Sequence, residues 1–127
     1  MSMDENIIAA KVLDAAFRVH TELGPGLLET VYETAMAFEL TQMGLRVQRQ
    51  RSIPLVYREV KLEDGFRVDL LVEGRVIVEI KSVEFVPPVV YKIVLTYLRL
   101  SDLRLGILIN FGEEHLKDGI KRVVNRL

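Results

Sequence analysis

The segment from Asp69 to Lys81, DLLVEGRVIVEIK, leaves this chain little freedom. Two apolar runs flank Glu73-Gly74, which is the pattern of a β-hairpin. Successive side chains of a strand point to opposite faces. On the second run Val76, Val78 and Ile80 point one way. Arg75, Ile77, Glu79 and Lys81 point the other. A carboxylate and an ammonium two residues apart therefore project together. On so apolar a strand, two such charges need solvent, a partner or a metal ion.

Loop parity decides whether Asp69 joins them. A two-residue loop at Glu73-Gly74 pairs Asp69 with Val78, on the wrong face. A three-residue loop, Val72-Glu73-Gly74, puts Gly74 at the left-handed position of a G1-bulge turn. Asp69 then lies on the face of Ile77 and Glu79. The odd-length loop is expected, and Asp69 and Glu79 on opposite faces would remove the basis for a shared site.

These residue types suit one chemistry. Two carboxylates are hard oxygen donors for Mg²⁺ or Mn²⁺. Such an ion lowers the pKa of a bound water and stabilises charge on a phosphodiester. A neighbouring lysine can orient the water or stabilise developing negative charge. The D-x₉-E-x-K pattern alone is degenerate, because an edge hairpin with a solvated Glu–Lys face carries the same residues.

The remaining chain predicts one domain over residues 1–127. Helix 1 is expected from about Met3 to Leu23, with Ser2 and Glu5 as a capping box. Leu23-Gly24-Pro25-Gly26 stops it. A second helix is expected from about Leu28 to Met43, with Gly44 past its end. Arg46–Gln50 and Ile53–Lys61 read as strands, with Pro54 marking an edge or a bulge. Glu63-Asp64-Gly65 reads as a turn, and Phe66–Val72 and Arg75–Lys81 as the hairpin. Pro87-Pro88 opens a third helix, about Val89 to Leu100. Arg104–Asn110 reads as a buried strand, and Glu113–Leu127 as a closing helix. The order is α-α-β-β-β-β-α-β-α, a mixed α/β sheet flanked by helices.

Half of the residues are hydrophobic, enough for a core. There is no cysteine, which excludes a disulfide scaffold and a thiolate metal site. The N-terminus, MSMDENIIAA, has no basic leader, so no export signal is expected and a cytoplasmic location is. No apolar run approaches the ~20 residues that span a bilayer. The formal net charge is −1. Phosphate neutralisation supplies most non-specific nucleic-acid affinity. A nucleic-acid partner must therefore meet a local basic patch, bound metal ions or a partner's surface. Arg46, Arg49, Arg51, Arg58 and Lys61 form one basic run, equally explained by a solvated strand face. Lys117, Lys121 and Arg122 are expected on the polar side of the last helix. His20 and His115 are isolated, and a capping or buried role fits His20.

Further motifs stand in order around the hairpin. VHTELGPG precedes Gly26-Leu27-Leu28-Glu29-Thr30-Val31-Tyr32, a G-x-x-E-x-x-Y signature. EIKSVE, P-x₇-TYLRL and LRLGILINFG follow it. Together, from Ile8 to Gly112, they resemble the GxxExxY protein family, a prokaryotic group within the PD-(D/E)XK nuclease-like superfamily. The resemblance implies a restriction-endonuclease-like α/β fold with an αβββαβ core. It implies a metal-dependent nuclease acting on DNA or RNA through Mg²⁺ or Mn²⁺. Asp69 and Glu79 would hold the metal, Glu29 would approach from helix 2 as a third acid, and Lys81 would act on the water or the charge. For Glu29 a favourable place in the helix N-terminal field is compatible with that role; for Tyr32, one turn on, core packing is expected ahead of a hydrogen-bonding role.

One departure bears on activity. Where the family reads H-x-x-Q ahead of the third helix's TYL, this chain has Val90 and Ile93. Neither can donate a hydrogen bond. The helix from Val89 is apolar nearly all round, and such a helix must be buried in a core or in a homodimer interface. The alternative function is thus a catalytically inactive nuclease-like module that binds nucleic acid or a protein partner.

Overall fold

The computed structural model describes residues 3–127. Two helices come first, α1 (Glu5–Leu23) and α2 (Glu29–Gln42). Three strands follow, β1 (Val47–Tyr57), β2 (Val60–Val72) and β3 (Val76–Lys81). Then come α3 (Val89–Ser101), β4 (Leu105–Asn110), a 3₁₀ turn at Leu116–Gly119, and β5 (Ile120–Val124). The strands form one sheet in the order β1-β2-β3-β4-β5. Only β3 and β4 run parallel, joined through α3. The implied αβββαβ order is therefore present as α2, β1 to β3, α3 and β4, extended by an antiparallel β5.

Two cores share the sheet. The larger joins α1 and α2 to one face through Val12, Met36, Leu70, Val78, Ile80 and Ile107, among others. The smaller joins α3 to the other face through Val68, Leu71, Ile77 and Leu98. Helix α3 approaches closely because Gly106 lies beneath it: a Cβ there would stand 2.7 Å from a Val94 methyl.

Several expectations change. The capping box named Ser2, which lies outside the described residues; the N-cap is Asp4, whose carboxylate accepts from Ile7 N–H at 2.9 Å. Arg46–Gln50 and Ile53–Lys61 are not separate strands. Pairing with β2 continues through Arg51 and Ser52, and Pro54 sits at a bulge on this edge strand. The hairpin turns at Arg58-Glu59, with Arg58 at φ 56, not at Glu63-Asp64-Gly65. Gly65 is a packing glycine within β2, since a Cβ there would meet the Leu55 side chain at 2.5 Å.

The closing helix is absent as well. Leu116, Ile120, Val123 and Leu127 have helical spacing, yet the chain pairs as β5 along β4. Every residue of β4 is buried, so its open edge needs backbone partners. Ile120 joins the larger core and Val123 the smaller, as opposite faces of a strand require. Helix α3 is not buried all round either. Only Val94 and Leu98 are fully enclosed, while Val89, Ile93 and Leu100 reach solvent.

The β2–β3 loop is odd, as expected, but one residue further along. Val72 pairs with Val76, leaving Glu73-Gly74-Arg75 between them. Glu73 and Gly74 both take positive φ, 54° and 64°, and Arg75 N–H donates to Val72 O at 3.0 Å. Moving the loop by one residue moves the register by two, so the faces are unchanged.

Candidate active site

Strands β2 and β3 are laddered only across Leu70–Val72 and Val76–Val78. At Asp69 the ladder stops and a side chain takes over: Oδ2 accepts from Ile80 N–H at 2.8 Å. The β1–β2 ribbon also changes face here. Val68 belongs to the core under α3, whereas Leu70 belongs to the core under α1 and α2. The opposite strand does the same between Ile53 and Val47. Gln50, at φ 46, stands opposite Asp69 at that change of face, between the pairs Arg49–Leu70 and Arg51–Val68. Asp69 thus sits where the strand alternation breaks, with its carboxylate brought against Glu79.

The two carboxyls share one side, as the odd loop requires. Burial pushes the Glu79 carboxyl up to about 9 from its ordinary 4.5. The charge of Asp69 pushes the same way, and the opposite charge of Lys81 is among the smaller influences that only partly offset this. Glu79 Oε1 is fully buried and has no hydrogen-bond partner. A buried acceptor left unpaired costs about 1–3 kcal/mol, more if ionised.

Glu79 and Lys81 open on a small cleft of about 150 Å³ roofed by α3. Arg67, Val90, Ile93, Val94 and Tyr97 complete its lining. Tyr97 stacks on Phe66 at 4.4 Å between ring centres. Its hydroxyl is pushed above the ordinary tyrosine value by burial first, then by the charges of Glu79 and Asp69. Val90 and Ile93 do face the cleft, so this wall is apolar where polar support was expected.

Glu29 is placed differently from the other two acids. As the first residue of α2, it accepts from Ser82 N–H at 3.2 Å. Ser82 in turn donates its hydroxyl to Leu27 O at 2.6 Å. These contacts staple the loop before α2 to the residue after Lys81. They fix the end of β3 but do not bring Glu29 onto the Asp69–Glu79 pair. Among the described residues no three His, Cys, Asp or Glu side chains gather as a metal cluster.

The acid linked to Asp69 is Glu33, one helical turn beyond Glu29. Gln50 bridges them: its amide nitrogen donates to Glu33 Oε1 and lies 3.3 Å from Asp69 Oδ1. Arg49 holds Glu33 from the other side at 3.0 Å. Arg49 also donates to Thr34 Oγ1 at 2.8 Å. The i, i+4 spacing of Glu29 and Glu33 puts both on one side of α2, the one sequence signal for Glu33. Nothing local marks Gln50, because its role depends on strand pairing.

The donor set fits a hard divalent cation. Mg²⁺ is commonly held by one or two carboxylates, with water and substrate phosphate completing its shell. A cation at this pair would satisfy Glu79 Oε1 and offset the repulsion between the two acids.

Other candidates resolve into structural roles. Tyr32 is buried and stacks on Phe111 at 4.4 Å. Its hydroxyl donates to Gly24 O and accepts from Leu27 N–H at 3.1 Å, which clamps the Gly-Pro-Gly turn. His20 Nε2 meets Glu113 O at 2.8 Å, tying the end of α1 to the loop after β4. The basic run is largely paired. Arg46 lies 3.7 Å from Glu73, and Lys61 lies 3.6 Å from Glu63. Arg58 lies over the Tyr57 ring. Lys121 and Arg122 alternate along β5 and do not share a helix face with Lys117. No described helix is long and apolar enough to cross a membrane.

A family model described as the PD-(D/E)XK nuclease superfamily matches residues 6–123. No curated protein and no solved structure gives a match.

Proposed function

Because the chain belongs to the PD-(D/E)XK nuclease superfamily, we propose that it is a metal-dependent nuclease hydrolysing phosphodiester bonds of DNA or RNA. The observation that carries this reading is Glu79. It is a buried carboxyl with an unpartnered oxygen, set against Asp69 and two residues from Lys81 at the mouth of a cleft. Such an arrangement is unfavourable in itself, and strain of this kind concentrates at functional sites.

Asp69 and Glu79 would hold Mg²⁺ or Mn²⁺, which when bound supplies an activated water and charge stabilisation. Lys81 orients the attacking water or steadies negative charge on the phosphate, since it lines the same cleft. Arg67, on the cleft rim, offers a second cation to the phosphate backbone. Glu29 acts through Ser82, holding the strand end that carries Lys81. The GxxExxY signature then has two parts: Tyr32 locks the turn, and Glu29 anchors that turn to β3. On this reading the partner is nucleic acid, as the substrate.

The apolar wall of Val90 and Ile93 favours a second reading, a nuclease-like module that binds without cutting. The test is cleavage of mixed single- and double-stranded DNA and RNA with Mg²⁺, Mn²⁺ or EDTA, by wild type and Lys81→Ala. Metal-dependent cleavage that drops by about a hundredfold or more in Lys81→Ala is expected. No metal-dependent cleavage by wild type would leave the binding module as the function. Equal cleavage by both proteins would remove Lys81 from the chemistry.

A further inference from the structure

Two apolar surfaces lie uncovered on opposite faces of the sheet, and their charges are of opposite sign. The first is the outer ridge of α3. Val89, Ile93, Thr96 and Leu100 follow one another at spacings of four, three and four, the spacing of a coiled-coil seam. All are exposed, Val89 by 56 % and Leu100 by 50 %. The Thr96 hydroxyl is bonded back to Lys92 O, so hydrogen bonding does not hold it to solvent. Lys92 and Arg99 flank this ridge on one side, and α3 contains no acidic residue.

The second surface is an open groove of about 710 Å³ between α1 and α2. Phe17 and Leu23 line it, and Val31 and Phe38 continue it along α2. Phe38 is 58 % exposed. Asp14, Glu22 and Glu39 line the same groove, with Arg18 the one cation among its lining residues.

We propose that these are the two halves of one interface, in which α3 of one copy of this chain docks in the α1–α2 groove of the next. The apolar ridge fills the apolar groove, and Lys92 and Arg99 meet its acidic rim. Pairing α3 with α3 of a second copy is less favourable. An antiparallel pair on this seam sets Lys92 against the partner's Arg99, a like-charge contact. Ridge and groove lie on opposite faces, so one protomer cannot satisfy its own pair. The contact is heterologous and closes into a ring or continues as a filament. It also reaches the cleft, because Ile93 belongs to both the ridge and the cleft wall. This inference concerns the surface of α3 and stands whether or not the chain cuts nucleic acid.

The test is sedimentation velocity across a wide concentration range, with far-UV circular dichroism as the check on folding. Four proteins are compared: wild type, a groove reversal (Asp14→Lys with Glu22→Lys), a ridge reversal (Lys92→Glu with Arg99→Glu), and an equal mixture of the reversals. All four substituted side chains are exposed. Wild type should assemble. Each reversal alone should weaken association by about tenfold or more, and mixing them should restore it, since each ridge then meets a groove of opposite charge. A wild type that stays monomeric throughout overturns the proposal. So does a groove reversal that assembles like wild type, the result expected of an α3-to-α3 dimer. A mixture no better than its separate components overturns it too.

Discussion

Replacing Glu79 by Gln asks whether the site is built at the expense of stability. Glu79 is a buried carboxyl whose proton is held up to about 9, against 4.5 in the unfolded chain. Between those values the native state keeps a proton that the unfolded chain has released. More protons bound in the native state means that stability falls as pH rises through that window. At about 1.4 kcal/mol per pH unit, the loss reaches about 3 kcal/mol at pH 7. Below pH 4.5 both states are protonated and the effect vanishes. Glu79→Gln keeps the shape and removes the titration. In EDTA, urea unfolding from pH 5 to pH 8.5 should therefore show wild type losing stability relative to Glu79→Gln. A gap of about 3 kcal/mol at pH 7 corresponds to roughly 10 °C in melting temperature for a domain of this size. Mg²⁺ or Mn²⁺ should narrow the gap by binding the ionised pair in wild type only. Parallel pH profiles for the two proteins would refute the account of Glu79 as a carboxyl destabilised by burial and Asp69.

Two further substitutions probe the supports of the site. Gln50→Ala removes the amide that bridges Glu33 and Asp69; partners of this kind typically contribute about 10–100-fold in metal affinity. Calorimetric Mn²⁺ titration should show such a loss, and unchanged affinity would make Gln50 a purely structural residue. Tyr32→Phe keeps the stack on Phe111 but removes the hydroxyl between Gly24 O and Leu27 N–H. Thermal unfolding should show a loss of about 1–3 kcal/mol, and an unaltered midpoint would mean that the Gly-Pro-Gly turn holds without its clamp.

Much of the architecture is legible in local pattern. Period-two alternation around Glu73-Gly74 marks β2 and β3, and its parity sets Leu71 against Ile77 on one side; Asp69, at the end of that ladder, meets Glu79 on the same side. Gly24 and Gly44 take the positive φ that ends α1 and α2, where a side chain would be strained. The shift of the loop by one residue did no harm, because side-chain direction depends only on parity. The ordered motifs from Ile8 to Gly112 lie within the span of the matching superfamily model, residues 6–123.

The misread segments share one cause. Residues 116–127 carry apolar side chains at spacings that serve a helix or a strand equally. The unsatisfied edge of β4 decides for the strand, and that edge lies elsewhere in the chain. Gly65 looks like a turn residue until Leu55 is seen to occupy the space of its missing Cβ. The exposure of α3 was equally hidden, since apolar composition does not say how much of a helix its neighbours can cover.

The same division runs through the candidate site. By itself the sequence determined its chemistry: Asp69, Glu79 and Lys81 are set by residue type and by the two-residue repeat of a strand. Only the tertiary structure decided their energetics and their company. Glu79 is driven to hold its proton by burial beneath α3, Glu29 turns to Ser82, and Glu33 reaches Asp69 through Gln50. Direction along a strand is a local property of the backbone. Burial and cross-strand hydrogen bonds depend on segments distant in sequence, so they exist only once the sheet and its helices have packed.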